Sequence, residues 1–259
     1  MQEGPHNMTD LQKASLSKRI AAGLLDVMLL CVLAVGAASL LTWLLGYQSH
    51  SDALAAGYAK YEQQFGVDFE ADSQTYSTMS PADKANFEAA YAALAADKDV
   101  AYHFNMMINL TLIITTFSIL SAMLVLEFTV PLLLKNGQTL GKKVFSLGLM
   151  RVDAVQISPL QLFARTILGK FTIETMIIVY ILILIFFNSI GIVGPLVIGG
   201  ILLTQLICII VSKTNSLIHD LLAGTVVVDM SSQKIFRTSQ DLLDYQKRIA
   251  AERAARQDY

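Results

Sequence analysis

Three acidic residues, Asp26, Glu127 and Glu174, stand in otherwise apolar stretches. An ionisable group in hydrocarbon costs roughly 2.5–3.5 kcal/mol on insertion scales, so such groups are the first places to look for chemistry. Neighbouring carboxyls raise one another's pKa, and three of them in one place could hold a proton or a monovalent cation. Arg19 precedes Asp26 by seven residues, close to two helical turns, so the two point into one groove. Gly23 between them leaves space for another backbone or for water. The structural alternative is that each acid is satisfied by a nearby arginine or lysine, or by the amides of a helix end.

Other chemistries find little support. His6, His50, His103 and His219 share no metal-ligand spacing, and Cys31 and Cys208 lie inside apolar runs as small hydrophobes. Gly137 to Lys142 reads GQTLGK, which lacks the spacing of a phosphate-binding loop. Neither a Ser/His/Asp nor a Cys/His set is marked by a local motif. The expectation is a protein without enzymatic activity, metal or cofactor. A net charge of −2 gives no basic field for nucleic acid.

The elements that would position these acids are apolar helices. Of 259 residues, 54% are hydrophobic and 15% charged, against about 25% charged in a soluble domain. The apolar residues fall into four runs, predicting spans at about 20–45, 106–134, 171–187 and 192–211. Asn188, Ser189, Gly191, Gly194 and Pro195 break the last two, because one helix over 171–211 would be roughly 60 Å long, about twice the membrane core. The first run is longer than a signal-peptide core and carries an acid early, so it reads as an uncleaved anchor. Sixteen of the nineteen Lys and Arg residues fall before the first run, between the second and third, or after the fourth. The segment 46–105 has only Lys60, Lys84 and Lys98 against nine acids. By the positive-inside rule both termini are cytoplasmic and the acidic segment faces outward. On that topology Asp26, Glu127 and Glu174 all lie in the inner third of the bundle.

The outer insertion at 46–105 is too long for a plain connector. Leu54, Tyr58, Tyr61 and Phe65, closed by Gly66, predict one helix, and Ser80-Pro81 with Asp83 starts a second carrying Phe87, Tyr91 and Leu94 on one face. It reads either as a cap over a substrate path or as a solvated insertion kept outside by its acids. Between spans two and three, Asn136-Gly137 marks a turn, Val144–Val152 a strand, and Ser158-Pro159 an amphipathic helix lying along the interface before the third span. Thr225–Asp229 is β-branched and could pair with that strand. Residues 231–259 form a charged helical tail. The fold class is thus an all-α membrane protein, a four-helix transmembrane bundle with an extracytoplasmic helical insertion and a short cytoplasmic β element. Residues 1–18 form the cytoplasmic N-terminus.

Several stretches together resemble the RDD family, named for one arginine and two aspartates. Arg19 and Asp26 in KRIAAGLLD match its opening pattern. Gly137, Thr139, Gly141 and Lys142 match its G-x-T-L-G-K loop, and Arg165 is similar to the arginine of its next helix. HDLLAGTVV from His219 resembles its terminal signature, making Asp220 the second aspartate. The resemblance covers roughly residues 15–230, outside the acidic insertion. It implies a multi-pass protein of a bacterial or archaeal plasma membrane, with transport, including sodium–proton exchange, proposed for some members. It also implies that Arg19, Asp26 and Asp220 converge, as a structural clamp or as the gate of a transport site.

Two functions follow as expectations. One is a small transporter or antiporter, homo-oligomeric because four spans are few, moving a monovalent cation against protons with Asp26, Glu127 and Glu174 as binding candidates. The other is a membrane scaffold or accessory subunit that holds a partner protein through the insertion or the tail.

Overall fold

The computed structural model describes residues 14–134, 136–187, 189–212 and 214–257. Lys13, Lys135, Asn188 and Lys213, used above for charge and turns, lie outside the described residues, as does the rest of 1–13. Among the described residues four helices are long and apolar enough to cross a membrane: the first, Leu16–Leu44, the second, Lys98–Leu134, the third, Pro159–Phe186, and the fourth, Val193–Val211. Their apolar side chains are mostly on the surface, with Trp43, Phe186, Ile210 and Val211 among the most exposed. Surface of that kind is stable against lipid, where no hydrophobic force drives it inward. The protein is an all-helical membrane protein with one small sheet.

The ends of these helices have local causes. Gly191 takes the left-handed conformation (φ 53°) in the turn before the fourth helix. A Cβ on Gly194 would lie 2.7 Å from the Ile185 side chain, so a glycine permits the close return of the chain. The second helix begins at Lys98, inside the stretch expected to belong to the insertion, because Asp97 accepts from the Asp99 and Val100 amides and caps it.

The segment from Ser158 departs from expectation. It does not lie apart from the third span but is its first turns, in one helix Pro159–Phe186. A capping box starts it: Ser158 Oγ accepts from Gln161 N and Gln161 Oε1 accepts from Ser158 N, each at 3.2 Å. No proline follows within that helix, and Gly169 is carried inside the helix without breaking it. Instead, Ala164–Met176 is wound as a π-helix. A second π stretch, Leu124–Thr129, lies in the second helix just before Pro131.

The chain divides into two compact units, 35–118 and the remainder. In the first, three helices, Tyr47–Phe65, Ser73–Thr78 and Pro81–Ala96, stand where two were expected. Gly66 (φ 65°) closes the first of them, and the Ser80 side chain caps the last by accepting from Asp83 N. Tyr61 Oη and Lys60 Nζ both donate to Asp97 Oδ2, at 2.9 and 3.2 Å. His50 and His103 meet with their Nδ1 atoms 2.9 Å apart.

In the other unit, β1 (Leu147–Arg151) pairs antiparallel with β2 (Thr225–Asp229), Leu149 opposite Val227. Leu147, Leu149 and Val227 pack with Ala22, Ile157 and Leu162, while Met150, Val226 and Val228 form a second cluster. The sheet is therefore buried on both faces, which is why both strands read as unbroken apolar runs. Two short helices, Leu140–Val144 and Ile218–Ala223, lead into the strands and carry the loop and terminal motifs. A final helix, Ser239–Gln257, forms the tail.

Candidate functional site

Asp220 is the most completely enclosed acid. It is 0% exposed, on the short helix Ile218–Ala223. Arg165 donates from Nε and approaches with a terminal nitrogen, at 3.0 and 2.9 Å from Oδ1. Arg19 donates to Oδ2 at 3.3 Å, and Thr225 Oγ1 donates to Oδ1 at 3.2 Å. Burial would raise the Asp220 pKa, but Arg165, His219 and Arg19 outweigh it and hold the carboxyl well below the usual range. Arg19 also donates to the carbonyls of Thr214 and Asn215, at 3.1 and 2.7 Å. Asn215 can turn its carbonyl that way because asparagine tolerates the left-handed conformation it adopts (φ 52°).

Glu174 binds the residue beside Asp220. Its Oε1 accepts from His219 N at 3.1 Å and its Oε2 lies 2.7 Å from His219 Nδ1. Burial pushes the His219 pKa down, against the pull of Asp220. A neutral imidazole donating from Nδ1 to Glu174 satisfies this geometry. Gly169 lets the third helix approach: a Cβ there would lie 2.7 Å from His219 Cα.

The π winding explains how one helix supplies both contacts. Arg165 and Glu174 are nine residues apart, about two and a half turns of α-helix at ~3.6 residues per turn, which puts them on opposite faces. A helix wide enough for i→i+5 bonds takes between about four and five residues per turn, so nine residues make about two turns and share a face. Both side chains thereby reach the helix Ile218–Ala223.

Glu127 lies in the other π stretch and is 4% exposed. Lys170 Nζ lies 2.6 Å from its Oε2 as a close ion pair. Thr166 Oγ1, from the third helix, donates to the Glu127 carbonyl at 3.0 Å, close to Pro131, which has no N–H of its own. The second and third helices are thus tied by a side-chain hydrogen bond to the backbone.

Asp26 is held by the loop motif. Gly141 N donates to Oδ1 at 2.7 Å, and Thr139 Oγ1 donates to Oδ2 in a short bond. Lys142 Nζ is 4.0 Å from Oδ2 and donates to Thr139 Oγ1 at 3.2 Å. A Cβ on Gly141 would strike Ala22 O at 2.2 Å, so glycine is required for the contact between loop and first helix. Lys142 is buried, and its pKa is pushed down to about 8 by burial and by Lys170, with Glu127 and Asp26 opposing.

The four acids Asp26, Glu127, Glu174 and Asp220 and the basic groups of Arg19, Lys142, Arg165, Lys170 and His219 line one cavity of about 420 Å³, together with apolar residues such as Leu30 and Met123. The sequence-based expectation needs correction in two respects. Asp26, Glu127 and Glu174 share the cavity but not a cluster, since each has its own cationic or histidine partner. Arg19 and Asp220 do meet, whereas Asp26 turns to Thr139, Gly141 and Lys142, so the expected trio is two networks. Among the described residues no group of three or more His, Cys, Asp or Glu could hold a metal. Lys170 and His219 belong to the site and were not among the sequence candidates, and Arg165, named only as similar to the family's arginine, joins them. Their signal was present as ionisable groups beside apolar runs, but an α-helical period separates Arg165 from Lys170 on the third helix, and His219 stands on the short helix Ile218–Ala223. Gly137 (φ 61°) shapes the loop from outside the cavity, against Leu149 and Ile157.

Comparison with the curated proteins gives no match, and comparison with the solved structures gives none. Comparison with family models gives the RDD family over residues 13–224, which takes in Arg19, Asp26, the loop motif, Arg165 and Asp220. That match covers most of the chain, and the chain belongs to the RDD family.

Proposed function

We propose that this protein is a small cation/proton antiporter of the plasma membrane, working as a homo-oligomer with both termini in the cytoplasm. The observation that carries this reading is the cavity, where Asp26, Glu127, Glu174 and Asp220 meet Arg19, Lys142, Arg165 and Lys170 at the ends of membrane-length helices. Its four carboxyl groups are matched by four basic side chains, a setting that suits exchange of one positive charge for another. Asp220, gripped by two arginines, is the clamp that holds three segments together. Asp26 keeps its cationic partner 4.0 Å away and is the acid available to a cation. The sixteen-to-three bias of basic residues supports the orientation.

The test is collapse of a preset pH gradient in proteoliposomes on adding sodium, potassium or lithium. A response to at least one cation, lost in Asp26→Asn, is expected. No response to any cation, with Asp26→Asn indistinguishable from wild type, sinks the reading.

A second reading is favoured by one observation, the separate compact unit at 35–118 with exposed Tyr91, Tyr102 and Phe104. In that case the chain is an accessory subunit that holds a partner protein through this unit. Crosslinking in cells would then recover a specific partner, and deletion of 50–96 would release it.

A further inference from the structure

A second cavity, of about 500 Å³, lies in the unit that holds the sheet and shares no lining residue with the first. Its apolar lining includes Pro131 and Leu132, in the last turn of the second helix, and Pro159 and Leu162, at the start of the third. The cavity therefore sits at the level where two membrane-length helices end. The chain neighbours Leu133, Leu160 and Phe163 are exposed, so this lining runs on into surface suited to lipid tails. Its polar lining includes Arg151, Arg237, Thr238 and Ser239. Backbone bonds bring the two arginines together. Arg151 N donates to Val155 O at 2.8 Å and Ala154 N to Arg151 O at 3.1 Å, closing a turn in which Ala154 is left-handed (φ 65°). Gln156 N donates to Phe236 O at 2.8 Å and Phe236 N to Ala154 O at 3.0 Å, which carries Arg237 against that turn.

The ionisable lining is basic only. Arg151 gives one terminal nitrogen to Asp153 at 2.6 Å and keeps its other donors. Arg237 is exposed and, among the described residues, meets no carboxylate. Asp153 does not line the cavity, and neither does Asp241, which accepts from Thr238 N at 3.1 Å and caps the tail helix. We propose that this cavity binds the headgroup phosphate of an anionic phospholipid, with Arg237 and Arg151 on the phosphate oxygens and the acyl chains running along Leu132, Leu160 and Phe163. A guanidinium presents paired donors that match phosphate oxygens, and basic pockets between membrane helices take such headgroups. A free phosphate would satisfy the arginines but leave the apolar lining in water, whereas a phospholipid satisfies both. Arg237 lies beyond residues 13–224, the part of the chain that the family model matches. The lipid would thus pin this chain's own tail to the ends of the second and third helices. The lipid site is independent of whether any cation is exchanged at the first cavity.

The experiment uses the full chain purified in an uncharged detergent and titrated with phosphatidylglycerol, phosphatidylcholine, glycerol 3-phosphate or inorganic phosphate. Retained lipid is followed by native mass spectrometry, and affinity is read from the shift in unfolding temperature. Wild type is expected to bind phosphatidylglycerol about tenfold more tightly than phosphatidylcholine, and to respond to neither soluble phosphate. Arg237→Gln should lose about fivefold of that preference. Arg248→Gln removes the same charge from the tail outside this cavity and should keep it. Both side chains are exposed, so neither change threatens the fold, and the comparison of lipids on wild type decides in any case. Equal losses in the two variants would reveal a diffuse surface charge and overturn the site. Glycerol 3-phosphate or inorganic phosphate binding as tightly as the lipid would assign the arginines to a soluble anion and overturn it too. So would a wild type with no preference between the two lipids.

Discussion

Asp220 and its two arginines show how a buried charge is kept. Removing one partner leaves charge stranded in a low dielectric, and such losses typically cost about 3–5 kcal/mol. Arg165→Met is therefore expected to lower unfolding stability by about that amount in detergent, measured by thermal or denaturant unfolding, and Arg165→Met with Asp220→Leu should recover much of it. The same site sets a pH response. His219 has its pKa lowered in the fold, so its contribution is intact above the ordinary value of 6.5 and is lost as pH falls through the folded value. Asp220, also lowered, adds a further loss only below the ordinary carboxylate value of 3.8. Stability should thus fall in two stages on acidification, and His219→Gln should remove the first. An unchanged first stage in that variant would show that the histidine is not its origin. The sequence revealed Arg19, Asp26 and Asp220 through their motif but not their pairing. Pairing depends on which way the helix Ile218–Ala223 docks, and no local pattern encodes that.

At the scale of elements, two close approaches and one borrowed hydrogen bond assemble the site. Gly141→Ala and Gly169→Ala each drive a methyl into neighbouring backbone, Ala22 O at 2.2 Å and His219 Cα at 2.7 Å. Each is expected to cost at least the 1–3 kcal/mol or so typical of overpacking, visible as a lower unfolding temperature. Thr166→Val removes its hydrogen bond to the Glu127 carbonyl, at about 0.5–1.5 kcal/mol. Pro131→Ala restores an N–H nearby, so a double-mutant cycle should show the pair costing less than the sum of its parts. The spans, the turn at Gly137 and the strand pair were legible because long apolar runs, a turn dipeptide and β-branched residues act locally. The π stretches were not. Their winding satisfies Pro131 and the contacts to residues 218–223, both of them tertiary demands on a segment whose own residues allow an ordinary α-helix.

At the scale of the molecule, the helix caps bounding the insertion and the sheet unit respond to acid separately. Asp97, held by Tyr61, Asp99 and Lys60, has its pKa lowered to about 2. Its support for the insertion is full above about pH 4 and fades as pH falls toward 2. Limited proteolysis over that range should open the segment 47–97 first in Asp97→Ala. Topology is open to labelling: with Cys31 and Cys208 replaced by alanine, Ser231→Cys should react only after the membrane is permeabilised and Ser51→Cys in intact cells. Reaction of both from outside would reject the orientation. Membrane insertion itself was the easiest property to read, since 54% hydrophobic residues in four runs leave few other folds.

The thirteen-residue wide-turned stretch at 164–176 carries one more consequence. Between Arg165 and Glu174 the number of residues acts as a gauge, because each added or removed position swivels one contact relative to the other. Deleting a single residue there could leave every backbone bond made and every side chain chemically intact, yet turn either the arginine or the glutamate out of the pocket. Substitutions along this stretch should be borne far better than a change in its count.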